Sequence, residues 1–164
     1  GLNLIKTKTG AQVIVHEKEA PVLRQGIITI PKGVNAIGKI TSFIGKRFLT
    51  GKKAYKPIEP DLISDNAPLS LEIIGFPLHI LHTPGHTAGS VSVFDPESAR
   101  LFCGDAAFNL PLLTSGKHFP PFADFPEQVT KSWQKMIATG ATHCYPGHGK
   151  AFPASSLLDE ISKK

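Results

Sequence analysis

Residues 82–87 read His-Thr-Pro-Gly-His-Thr. An alternating apolar run (Phe76, Leu78, Ile80) leads into this stretch and a second (Val91, Val93) leaves it. His82 and His86 are four apart and would share a face on a helix, but Pro84-Gly85 between them forbids one. The stretch is therefore a tight loop at the end of a strand, presenting imidazole at the rim of a sheet.

Working outward, residues 69–74, 78–81, 90–94 and 100–103 read as four strands. Asp95-Pro96-Glu97-Ser98 is a strong turn signal joining the last two as a hairpin. Gly104-Asp105 ends the fourth strand. Residues 109–126 form a Pro-rich loop, too long for a mere connection and hence a candidate wall of a site. Residues 126–139 read as the best helix of the chain. It has Pro at its start, Val129, Trp133, Met136 and Ile137 on one side, and Gly140 as its stop. Residues 142–145 make a short strand, and Pro146-Gly147-His148-Gly149 is another tight loop with a histidine. A last helix spans 154–162, capped by Ser155 or Ser156. Upstream, helix at 1–9, strand at 11–15 and helix at 17–25 have the texture of an α/β layer.

Three polar residues now share one description. His86, Asp105 and His148 each follow a strand in a Gly-containing turn, 19 and then 43 residues apart. Rigid strands hold loop residues in place where they end together. Imidazole and carboxylate suit zinc, manganese or iron, and a carboxylate can bridge two such ions. Each residue alone has a plainer reading, as a surface histidine or an ordinary Gly-Asp turn. The three together favour a metal site.

At these residues the chain resembles the metallo-β-lactamase superfamily. The resemblance rests on 82–87, on Leu101-Phe102-Cys103-Gly104-Asp105 and on Tyr145-Pro146-Gly147-His148-Gly149, in order. It implies an α+β fold, an αββα sandwich of two mixed sheets with helices outside. It also implies His86 as a ligand of a first metal, Asp105 as the bridging and catalytic carboxylate, and His148 as a ligand of a second. His82 is placed near the site without being a ligand. Two zinc ions are the expected cofactors, with iron or manganese as alternatives. The implied chemistry is attack of metal-activated water on an ester, lactone, thioester or amide carbonyl of a small-molecule substrate.

The family's principal signature, His-x-His-x-Asp-His, does not occur in the sequence. His16, His79, His118 and His143 are isolated, and the chain starts at Gly1. The expectation is therefore a single incomplete domain over 1–164, the C-terminal part of the sandwich and a fragment of the full enzyme. An inactive shortened relative serving as a binding module is one alternative. A glyoxalase II-like thioesterase is the other, although that enzyme's extra C-terminal helical domain is not seen. A sheet whose inner face lacks its partner points to a possible homodimer.

Composition bounds the rest. With 41% hydrophobic and 19% charged residues the chain is ordinary for a globular domain. No apolar run approaches the ~18 residues of a membrane span. Cys103 and Cys144 show no CxxC spacing; they read as buried free thiols and favour a cytoplasmic setting. The net charge of +5 is unevenly spread. Residues 20–58 hold no acid and eight bases: Arg24, Lys32, Lys39, Lys46, Arg47, Lys52, Lys53 and Lys56. Within this basic insertion, at about 26–57, Ile37, Ile40, Ile44 and Phe48 predict an amphipathic helix over 35–49. Gly38 and Gly45 weaken it by about 1 kcal/mol each. It reads either as a lid or surface for anionic substrate or lipid, with Lys39, Lys46 and Arg47 as substrate contacts, or as an insertion whose apolar stripe docks on the core. Aromatic and basic residues do not interleave as in a nucleic-acid groove, so no nucleic-acid partner is expected.

Overall fold

The computed structural model describes residues 1–114 and 117–163. Its elements run α1 (Leu2–Thr9), β1 (Ile14–His16), α2 (Ala20–Gln25), α3 (Ala36–Phe48), β2 (Leu62–Ser64), β3 (Leu69–Ser70), a 3₁₀ turn (Glu72–Ile74), β4 (His79–His82), β5 (Val91–Asp95), β6 (Arg100–Gly104), α4 (Pro111–Thr114), α5 (Pro126–Ala138), β7 (His143–Pro146), β8 (Phe152–Pro153) and α6 (Ser155–Ile161). The architecture is mixed α+β, as expected. β1 and β2 form a small parallel sheet, and β3 to β8 form a six-stranded sheet in sequence order. Every neighbouring pair of the larger sheet is antiparallel except β6–β7.

That one parallel pair positions the chemistry. β6 and β7 point the same way, so their C-terminal loops, carrying Asp105 and His148, emerge at the same sheet edge. The crossover between them contains α5, which packs Val129, Trp133 and Met136 onto Leu101, Cys103 and Cys144 to form the core with Phe152 and Leu157. The alternation along β6 is strict: Leu101 and Cys103 face α5, whereas Arg100 and Phe102 face away and are exposed. Cys103 and Cys144 are buried free thiols. Hydrogen bonding with Cys144, reinforced by burial, pushes the Cys103 thiol far above its ordinary range, so it stays protonated and inert.

Several local expectations are corrected. The strand predicted over 69–74 lasts two residues, because Glu72 turns onto the Ser70 hydroxyl and Ile74 closes back on the Leu71 carbonyl. The helix predicted from 17 begins at Ala20; His16 accepts the Glu19 N–H in a turn, and Pro21 sits in the first helical turn. Neither Ser155 nor Ser156 caps α6, which starts after Ala154 without a side-chain cap. β2 and β8 were not anticipated.

The largest correction concerns α3. The helix exists almost as predicted, capped by the Asn35 side chain accepting the Gly38 N–H at 2.7 Å. Its apolar stripe, however, does not dock on the core: Ile37, Ile40, Phe43, Ile44 and Phe48 are all exposed. The face turned inward is the small one. A Cβ on Gly38 would lie 2.1 Å from the Pro121 carbonyl oxygen and one on Gly45 2.5 Å from Ile30, while Ser42 donates to the Pro31 carbonyl at 2.7 Å. The two glycines are what allow the helix to lie so close.

Candidate metal centre

His86 is held at the rim from three directions. The loop 83–89 is tied across its mouth by Thr83 N–H to Ser90 O and Gly85 N–H to Thr87 O. His82, at the base of the loop, bonds through Nε2 to the Ala88 carbonyl at 2.9 Å and stacks on His16 with ring centroids 4.0 Å apart. Burial is the main cause holding the His82 pKa below its ordinary value, so the ring stays neutral and serves as a tie within the loop. From α5, Ser132 donates to the Pro84 carbonyl at 2.6 Å, and Val129 packs where a Cβ on Gly85 would fall. The segment 119–125 closes the third side: Asp124 N–H and Phe125 N–H donate to the His86 and Gly85 carbonyls.

The same segment sets the His86 ring. Nδ1 lies 2.9 Å from the Phe122 carbonyl oxygen. A carbonyl only accepts, so Nδ1 carries the proton and Nε2 is left with a free lone pair. That Nε2 faces one carboxylate oxygen of Asp105 at 3.5 Å, and His148 Nε2 faces the other at 3.7 Å. Both spacings are too long for a hydrogen bond. They suit two donors placed to share an ion at about 2.0–2.2 Å from each. Among the described residues no three His, Cys, Asp or Glu side chains close on one point. The donors instead form two half-sets with Asp105 common to both, and in chemistry and placement they fit two metal positions, each partly furnished.

The backbone is shaped around that carboxylate. Gly104 has φ +50°, in the left-handed region, where β6 turns into the Asp105 loop. A Cβ on Gly147 would meet Asp105 Oδ1 at 2.5 Å. Gly149, with φ +101°, lies against the Asn109 carbonyl, and Asn109 N–H donates to the His148 carbonyl at 3.0 Å. Phe108, buried, stacks on His148 at 5.0 Å and tilts against His86 at 6.4 Å, filling the floor between the two imidazoles. Trp133 Nε1 donates to the Ala106 carbonyl at 2.8 Å and so ties the Asp105 loop to α5. Exposure rises from His86 (16%) through Asp105 (31%) to His148 (56%), so the site opens on the His148 side.

The three residues singled out from strand ends, His86, Asp105 and His148, are thus brought together, and His82 stands behind them. Lys39, Lys46 and Arg47 lie exposed on α3. Among the described residues no hydrogen bond or ion pair links them to the Asp105 group. The floor residue Phe108 and the orienting Phe122 carbonyl were not foreseen. The only sequence signal for them is their position in the loops after β6 and before α5.

Known proteins share this fold. The hydroxyacylglutathione hydrolase of Legionella pneumophila (strain Corby) is 34% identical over 61 residues, which cover 35% of this chain and 24% of that protein. An archaeal metallo-beta-lactamase superfamily protein from Sulfolobus tokodaii superposes with a TM-score of 0.61 at 18% identity, over 99% of this chain and 61% of the other. TTHA1623 in a di-iron-bound form gives 0.57 at 21% identity, over 95% and 66%. The chain therefore spans about a quarter of that curated relative and under two thirds of the archaeal structure. The family profile of the metallo-beta-lactamase superfamily matches residues 1–148. On that match over most of its length, and on the fold it shares, the chain belongs to the metallo-beta-lactamase superfamily.

Proposed function

We propose that the protein is a metal-dependent hydrolase of carbonyl substrates, with His86 and Asp105 holding one metal and Asp105 and His148 a second. The observation that carries this reading is the placement of two imidazole Nε2 atoms opposite the two oxygens of one carboxylate, at 3.5 and 3.7 Å. When bound, such ions lower the pKa of coordinated water towards neutrality and polarise a carbonyl oxygen.

The chain's own residues supply orientation. Phe122 O keeps His86 in the tautomer that leaves Nε2 available. Phe108 excludes water from the floor, and the exposed His148 edge leaves room for a substrate. The Legionella relative makes a glutathione thioester the first substrate to assay, ahead of lactones, simple esters and amides. Zinc is the expected metal; iron and manganese are distinguished by elemental analysis.

The deciding experiment measures metal content and thioester hydrolysis on the purified protein and on His86→Ala. Bound transition metal and measurable turnover, both reduced in the variant, support the reading. A folded protein with neither metal nor turnover sinks it and leaves the binding-module alternative.

Gly147→Ala probes the carboxylate separately. Its Cβ displaces only the end of the Asp105 side chain, so the fold should survive. Metal affinity should fall roughly 10–100-fold, as when an orienting contact is lost. An unchanged metal titration would show that the Gly147 approach does not set the Asp105 position.

A further inference from the structure

The surface that the proposed reaction leaves unused is the outward side of α3. Ile40 and Phe43 are 63% and 74% exposed, with Ile37, Ile44 and Phe48 beside them. This is not a loosely seated helix. Gly38, Ser42 and Gly45 lock its small face against Pro121, Pro31 and Ile30, so rolling the stripe inward would drive side chains into backbone. The apolar face is held out.

What surrounds it is cationic. Lys32, Lys39, Lys46, Arg47, Lys52, Lys53 and Lys56 lie on or beside the helix, with no acidic residue between positions 20 and 58. The eighth base, Arg24, is paired with Glu59. Among the described residues none of the other seven makes an ion pair; Arg47 instead lies over the Phe48 ring at 5.6 Å. A second copy is a poor cover for such a face, because a two-fold contact would set seven unpaired cations against seven more.

We infer that α3 is an interfacial helix that seats the protein on an anionic lipid bilayer. Its apolar face enters the acyl boundary and its lysines meet the headgroup charge. The seat is adjacent to the metal centre. Val34 N–H donates to the Pro121 carbonyl, one residue before the Phe122 carbonyl that orients His86.

The test is flotation of the purified protein with vesicles of phosphatidylcholine alone and of phosphatidylcholine with phosphatidylglycerol. Binding to the anionic vesicles should exceed binding to the neutral ones by about tenfold or more and weaken as salt rises. Lys39→Glu/Lys46→Glu should remove most of that preference. Phe43→Ser, at an exposed position, should lower binding to the anionic vesicles by about tenfold with an unchanged circular dichroism spectrum. Equal partitioning on both vesicles would overturn the inference. So would a concentration-dependent dimer that Phe43→Ser dissociates and that shows no vesicle binding, since the cover would then be a second copy.

Discussion

Asp105→Ala should reduce hydrolysis on the order of a thousandfold, and should empty both metal positions together, while melting close to the temperature of the metal-free parent. The asymmetry follows from how the residue is held. Its carboxylate faces two imidazole nitrogens at 3.5 and 3.7 Å, and no hydrogen bond to it is found among the described residues. The metal-free fold therefore loses little when it goes, whereas the two half-sets lose the donor they share. Asp105→Asn keeps the shape but leaves a single, neutral carbonyl oxygen as donor, and should retain one metal weakly. Elemental analysis, kcat/KM on the thioester and a thermal melt, run side by side, check the three parts. A variant that still turns over near the parent rate would remove Asp105 from the chemistry and the di-metal reading with it.

Trp133→Ala should have the opposite signature: a loss of about 3–5 kcal/mol in unfolding free energy, with activity falling as a consequence. Trp133 is fully buried at the centre of the core and packs edge-on against Phe119 at 5.8 Å. Truncation leaves a cavity that α5, packed against both the sheet and α6, cannot collapse to fill. It also orphans the Ala106 carbonyl, whose neighbour is Asp105. Trp133→Phe separates the two contributions, since it keeps most of the packing and forfeits only the hydrogen bond, about 1–3 kcal/mol. Urea unfolding is the measurement. A destabilisation under about 1 kcal/mol for the alanine variant would be that of an ordinary surface change and would mean that the core is not organised around this side chain.

The two variants mark how the site is built. His86, Asp105 and His148 sit on loops after three different strands, and each loop is fastened from outside by a residue far away in sequence. Ser132 and Val129 on α5 hold the first loop, Trp133 the second and Asn109 the third. One helix thus sets the relative position of the His86 and Asp105 loops. The interior of that helix is therefore part of the site's precision.

Much of this was legible in advance because it is local. Proline and glycine punctuate backbone whatever surrounds them, so the break at Pro84-Gly85, the hairpin at Asp95–Ser98 and the start and stop of α5 could be read directly, and with them the three loops that carry His86, Asp105 and His148. The strand expected over 69–74 ends in a local turn, Glu72 N–H on the Ser70 hydroxyl and Ile74 N–H on the Leu71 carbonyl, that its apolar run does not announce, and α6 starts without the side-chain cap its serines suggest. Gly38 and Gly45 differ, because there a distant contact decides. On an isolated helix they are a cost in propensity, but against Pro121 and Ile30 they are the condition for contact.

By itself, then, the sequence determined the existence of α3 and α5 and which three side chains arrive at strand ends, because each depends on periodicity and turn chemistry over a few residues; the α+β class came with the family resemblance. Only the tertiary structure decided that His82 ties its own loop while His86 presents Nε2. It alone decided that Phe108 lies between the imidazoles and that α3 turns its small face inward. Those outcomes depend on contacts between segments tens of residues apart, where close packing selects one orientation among several that the local chain would accept.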